Sequence, residues 1–138
     1  MPRSILLSPP SRCLVMGIVN ITPDSFSGDG LGRERDIIAA AVAQSIKFSQ
    51  AGVDILDIGG ESTRPGAAYI PAQEEAQRIA PVIAALRAEL PDVAISIDTY
   101  KASVAQAAMA AGADIINDVW AFQADPDMAA VARAADCP

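Results

Sequence analysis

The sequence predicts an α/β chain of consecutive parallel βα units, and three observations carry that prediction. Apolar runs of strand length alternate with segments of helical periodicity through short connections, which is the pattern of βαβ units. The pieces AGVDIL at 51–56 and AGADII at 111–116 repeat one join of helix end, tight connection and strand start. Polar residues gather at the C-terminal ends of four successive predicted strands, where a (β/α) barrel builds its site. Right-handed crossovers put every helix on one side if the sheet closes into a barrel. A doubly wound sheet is the competing architecture, although no GxGxxG follows the first strand.

Residues 14–21, LVMGIVNI, form an almost continuous apolar run bounded by Pro10 and Pro23, with Asn20 near its end. Such a run reads as a buried strand. The Gly- and Ser-rich loop TPDSFSGDGLG follows, and residues 33–50 then show Ile38, Val42 and Ile46 at fourfold spacing beside Ile37, Ala41 and Phe48. That is an amphipathic helix with one stripe toward the sheet, and Gly52 sits where a left-handed cap is wanted. The second strand covers 55–58. A helix over 73–90 turns Ile79, Val82, Ile83 and Leu86 inward and carries Glu74 and Glu75 in its first turn, favourable to the dipole. Pro81 inside it predicts a kink or a later start. A third strand at 94–97 ends at Asp98 and Thr99. A helix over 101–111 is closed by Gly112, a fourth strand at 114–120 carries Asn117 and Asp118, and a short Ala-rich helix spans 127–135. Lys47 and Lys101 fall in helical stretches.

Composition bounds the function. Of 138 residues, 51% are hydrophobic, enough to bury a core, and the formal charge of −7 argues against a general binder of nucleic acid. Cys13 and Cys137 stand far apart without metal spacing, which argues against a disulfide framework or zinc site and for a reducing compartment. No histidine occurs, so Ser-His-Asp and Cys-His catalysis are excluded and any chemistry rests on Asp, Glu, Asn, Thr, Arg or Lys. The apolar run at the N-terminus is cut by Pro9 and Pro10, too short for a signal peptide or a membrane span. A cytoplasmic protein, with no membrane partner, is expected.

The stretch 54–66, DILDIGGESTRPG, concentrates the candidate chemistry. Its strand passes into Gly59 and Gly60, which allow close backbone approach, and then into Glu61, Ser62, Thr63 and Arg64 before Pro65 and Gly66. A polar surface turn uses the same residue types. Asn20, Asp98 and Asn117 at neighbouring strand ends shift the reading toward a site. Asp57 lies inside its strand and reads as a buried, hydrogen-bonded structural carboxylate.

MGIVNITPDSFSGDG at 16–30, DIGGESTRPG at 57–66 and SIDTYKASVAQAAMAAGADIINDV at 96–119 resemble dihydropteroate synthase. The resemblance implies a (β/α)8 TIM barrel, of which four βα units form the N-terminal half, with residues 1–13 a leader loop and 14–138 the four units. It implies condensation of 6-hydroxymethyl-7,8-dihydropterin diphosphate with 4-aminobenzoate, releasing diphosphate in folate biosynthesis, and a target for sulfonamides. By the same resemblance Asn20 is a catalytic residue and the ligand of a Mg2+ ion that holds the diphosphate, and Thr63 and Arg64 contact that leaving group. Asp98, catalytic and substrate-binding, and Asn117 read the pterin ring. Thr22, Asp24, Ser25 and Phe26 in the first loop and Ser62 and Pro65 in the second close over the 4-aminobenzoate, with Phe26 and Pro65 as apolar walls.

Trp120 and Ala121 stand where small residues are frequent in that family. A complete barrel needs about 250 residues, so the chain is expected to be inactive alone. A full-length form is expected to be a homodimer; otherwise a complementary half-barrel chain completes this one. A pterin-dependent methyltransferase shares the strand-end Asp and Asn, but the ESTRP and NITPDSF loops favour the synthase. A non-catalytic pterin-binding half barrel, acting as an assembly partner, is the alternative from another class.

Overall fold

A computed structural model describes residues 12–21, 33–62 and 66–138. Four strands, β1 (Met16–Asn20), β2 (Ile55–Gly59), β3 (Ala94–Asp98) and β4 (Ile115–Asn117), make one sheet in the order β1-β2-β3-β4, parallel throughout. The connecting helices are α1 (Arg33–Gln50), α2 (Ala72–Glu89) and α3 (Ala102–Ala111), and α4 (Met128–Ala135) follows β4. No helix among the described residues is long and apolar enough to cross a membrane.

The strand period of two sorts the side chains between faces. Val19, Leu56, Ile58, Ile95, Ile97 and Ile116 point to the helices and form the main core with Ile79, Val82, Ile83, Leu86, Val104 and Met128. On the opposite face Ile55, Ala94 and Ile115 make a smaller cluster beside Leu14, while Ile18 is 59% exposed and Met16 42%. The helices thus cover one side, as a barrel wall requires, and the doubly wound alternative, with helices on both faces, is absent from the described residues.

Helix α1 presents the predicted Ile37, Ile38, Ala41, Val42 and Phe48 to the core. Its fully buried positions are Ala41 and Ser45, with Ile37, Ile38, Val42 and Phe48 around them. Small side chains let this helix come close to β1. A Cβ on Gly17 would meet Phe48 Cδ2 at 2.8 Å, so glycine there makes room for the ring. Helix α2 runs unbroken through Pro81; proline in a helix interior costs about 3 kcal/mol, which full burial of Ile79, Val82, Ile83 and Leu86 offsets. Strand β4 is shorter than predicted. Asp118 accepts hydrogen bonds from the Trp120 and Phe122 amides, both at 2.9 Å, and Ala121 and Phe122 take positive φ of 52° and 64°, which turns the chain out of the sheet.

The repeated join is built alike in both places. Gly52 and Gly112 both have positive φ, 89° and 112°. Asp54 then accepts from the Val15 amide at 2.9 Å and pairs with Arg12, while Asp114 accepts from the Ile95 amide at 3.0 Å and pairs with Arg87. Each aspartate therefore ties the start of its own strand to the preceding one. The Arg12 hydrogen bond, with that of the Val15 amide, holds the Asp54 carboxyl below its ordinary range.

Candidate functional site

Sheet register brings three of the predicted site residues into one row. Asn20 pairs with Gly59, Gly59 with Asp98, and Asp98 with Asn117, at the C-terminal ends of β1 to β4 and on the face away from the helices. The only residue in the row without a side chain is Gly59. A Cβ there would touch Asn20 Oδ1 at 3.5 Å and Asp98 Oδ2 at 3.7 Å, so the amide oxygen and the carboxylate flank the same space. One step down the strands lies the row Ile18, Asp57, Ser96, Ile115.

Asp57 is 4% exposed and accepts a hydrogen bond from Asn117 Nδ2 at 3.1 Å, reaching across β3. This agrees with its reading as a buried, hydrogen-bonded carboxylate. Asp57 Oδ1, Ser96 Oγ and Asp98 Oδ1 are buried and make no hydrogen bond among the described residues. Burial, then the charges of Asp57, Glu75 and Asp118, push the Asp98 carboxyl up to about 6. At neutral pH it is still mostly ionised, an acceptor on both oxygens. The row therefore offers an exposed amide oxygen at one end and, at the other, a carboxylate beside an oriented amide, suited to a planar ligand edge with several N–H groups.

The family profile described as pterin binding enzyme matches residues 16–138. The chain belongs to that family. It is 46% identical over 127 residues to a dihydropteroate synthase of Clostridium beijerinckii, covering 92% of this chain and 46% of that protein. It is 49% identical over 132 residues to the dihydropteroate synthase of Bacillus subtilis, covering 96% and 45%. Among solved structures, a dihydropteroate synthase from Clostridium difficile, crystallised in the presence of pteroic acid, superposes with a TM-score of 0.84 at 45% identity, covering 92% of this chain and 47% of the other. The Xanthomonas albilineans synthase with 4-aminobenzoic acid gives 0.83 at 46% identity, covering 93% and 46%. The chain thus spans about half the length of the relatives it matches, and its four βα units correspond to about half of their TIM barrels.

Asn20, Asp98 and Asn117 thus fall in one register row, and Ser62 lies half-buried just beyond Gly60. Thr22, Asp24, Ser25, Phe26, Thr63, Arg64 and Pro65 lie outside the described residues, as do residues 1–11 of the predicted leader. For magnesium, the described residues hold no group of three or more His, Cys, Asp or Glu placed to ligate a metal ion together. A single exposed amide oxygen, that of Asn20, fits an ion that completes its octahedron with waters and substrate phosphates.

One reading of the sequence needs correction. Lys101, read as the first residue of a helix, instead precedes α3 with extended backbone and is 6% exposed. Its ammonium donates to Glu61 Oε2, to Glu75 Oε2 at 2.7 Å and to the Ile70 carbonyl at 2.6 Å, and lies 4.8 and 5.0 Å from the Tyr69 and Tyr100 ring centroids. Tyr100 donates to Glu61 Oε1 at 3.1 Å. Burial alone would lower Lys101, but hydrogen bonds and charges from Glu61 and Glu75 outweigh it and leave the ammonium raised. Glu75 is raised by its own burial, which the Lys101 hydrogen bond and charge only partly offset. Because Glu61 and Ile70 flank residues 62–69, Lys101 holds the two ends of that segment together. Gly60 is required beside it, since a Cβ would lie 2.8 Å from both Glu75 Cγ and Ile79 Cγ2.

Proposed function

We propose that this chain supplies one half of a dihydropteroate synthase site. The reaction condenses 6-hydroxymethyl-7,8-dihydropterin diphosphate with 4-aminobenzoate and releases diphosphate in folate biosynthesis. The observation that carries the reading is the register row in which Asn20 and Asp98 flank Gly59 and Asn117 stands beside Asp98, in a family whose solved members include synthases crystallised in the presence of pteroic acid, with 4-aminobenzoic acid and in complex with 7,8-dihydropteroate.

Asp98 accepts hydrogen bonds from the ring N–H and exocyclic amine of the pterin, and Asn117 offers an acceptor and a donor beside it. Asn20 would hold a magnesium ion through its amide oxygen, and the ion would supply charge neutralisation for the diphosphate. Thr63 and Arg64 contact that leaving group. Thr22, Asp24, Ser25, Phe26, Ser62 and Pro65 bind and enclose the arylamine; diphosphate leaves with the carbon–oxygen bonding pair, and the arylamine nitrogen then attacks the resulting pterin methylene cation and releases a proton to solvent. Sulfonamides compete for the arylamine position. We place the protein in the cytoplasm on the strength of its two free cysteines.

The exposed inner face around Met16 and Ile18 favours completion by a further four βα units, in a complementary half-barrel chain or in a full-length homodimeric form. The test combines the chain with the matching second half of a synthase relative and measures diphosphate release. Turnover is expected only with both halves, magnesium and both substrates present. An assembled complex that binds pterin diphosphate without turnover would replace the enzyme reading with a pterin-binding one, and turnover of a methylfolate instead would point to a methyltransferase.

A further inference from the structure

The described residues leave one buried ionisable group in the site without a role, Asp57. Its row across the sheet is otherwise Ile18, Ser96 and Ile115, none of them ionisable. A carboxylate there is 4% exposed, has one oxygen without a hydrogen bond among the described residues, and adds negative charge beside Asp98. Such a group is unfavourable for folding, so a purely structural role accounts for it poorly. Its single side-chain hydrogen bond goes to the Nδ2 of Asn117.

An ionised carboxylate can only accept. Asn117 therefore has no choice of orientation: it must turn Nδ2 toward Asp57, which leaves Oδ1 and the second N–H for a ligand beside Asp98. The side chain lying between them in the Asp57 row, Ser96, is small enough to leave the path over β3 open. We propose that Asp57 is a positioning residue that sets which end of the Asn117 amide is acceptor and which is donor, and so determines the hydrogen-bonding edge that the pocket selects. This deepens the pterin reading and rests on it. An amide at position 57 both donates and accepts, so it would let Asn117 adopt either orientation.

The test uses the chain assembled with the matching second half of a synthase relative, with NMR titration of pteroic acid as the probe because it reads weak binding, together with the side-chain amide signals of Asn117. In the unliganded wild type one Asn117 Nδ2 proton should be shifted and slow to exchange. Asp57→Asn should keep the fold, abolish that signature and weaken pteroic acid binding about fivefold, as expected when the competent orientation is only fractionally populated. In an Asn117→Ala background the same substitution should change affinity by less than about twofold, because a residue acting through Asn117 has nothing left to orient. A merely structural Asp57 would weaken both backgrounds equally, and that additivity overturns the proposal, as does an unchanged affinity in Asp57→Asn while Asp98→Asn binds poorly. If neither Asp98→Asn nor Asn117→Ala affects pteroic acid, or the wild type does not bind it, the pterin reading itself falls and this inference with it.

Discussion

Replacing Lys101 by methionine keeps the aliphatic stem and removes the ammonium from between Glu61 and Glu75. The side chains of Lys101, Glu61 and Glu75 are 8%, 12% and 1% exposed, so water cannot substitute for the lost cation at Glu75. Breaking a buried ion pair from one side costs about 3–5 kcal/mol. An independent bound comes from the cheapest escape, protonation of Glu75. From its ordinary value of 4.5 up to pH 7, neutralising a carboxyl costs about 3.4 kcal/mol at about 1.36 kcal/mol per pH unit. The two figures agree, and the second carries a pH signature. The folded-state pKa of Glu75 already lies above its unfolded value, and loss of Lys101 raises it further. Stability from such a group is fully present below the unfolded value and is lost as pH rises. At pH 5 the protonation cost drops to below about 1 kcal/mol, so the variant should be about 3 kcal/mol less stable than wild type at pH 7 and much closer to it at pH 5. Urea unfolding followed by far-UV circular dichroism measures this; the single tryptophan, Trp120, is 60% exposed and senses unfolding poorly. A loss below about 1 kcal/mol at pH 7, or an equal loss at both pH values, would refute the buried triad.

Asp98→Asn should weaken pterin binding about a hundredfold, because a donor replaces one acceptor facing a ligand N–H; calorimetry with pterin diphosphate and magnesium decides it, and unchanged affinity removes Asp98 from the pocket. The same variant should gain stability over wild type as pH rises from 4 to 7. The Asp98 carboxyl is raised from 3.8 to about 6, so the wild type is favoured below the lower value and loses that contribution through the upper one. For the wild type, pterin affinity should fall below pH 6 by up to about tenfold per unit as the carboxylate is protonated, and a flat profile from pH 5 to 8 would count against a carboxylate acceptor. Gly60→Ala should destabilise the chain by about 1–3 kcal/mol through overpacking against Glu75 and Ile79. Gly59→Ala meets only ordinary contacts and should fold normally while binding ligand poorly; a Gly59→Ala chain that binds as wild type would show that the space between Asn20 and Asp98 is not used.

Among the described residues, the alternation of continuous apolar runs with helical stripes is sufficient to locate every strand and helix, because central parallel strands are buried on both faces and helices on one. Strand ends were less legible. Nothing in IINDVW marks Asn117 as the last residue of β4; the Asp118 carboxylate ends it by capturing two amides further on, an Asx-type turn that competes with the sheet only once the chain is folded. The row of Asn20, Asp98 and Asn117 could be anticipated from polar residues at strand ends, whereas its register, with Gly59 as the gap, needed the pairing itself.

The Glu61–Lys101–Glu75 network was missed for a reason that the sequence does contain. The helix dipole accounts for Glu74, which is exposed and paired with Arg78, but not for Glu75, which is buried. Glu75 lies four residues before Ile79, on the stripe that continues through Val82, Ile83 and Leu86. Lys101 lies three and four residues before Val104 and Ala105, on the stripe of the next helix. A charge on an apolar stripe must find a partner or lose its charge, and here opposite charges stand at the N-terminal ends of stripes on two adjacent helices. Parallel βα units bring those ends to the same rim of the sheet, the rim that carries the site. The positions of Glu75 and Lys101 on their own stripes therefore predict that they meet, and that they meet beside the segment leaving β2, once the helices are known to lie side by side.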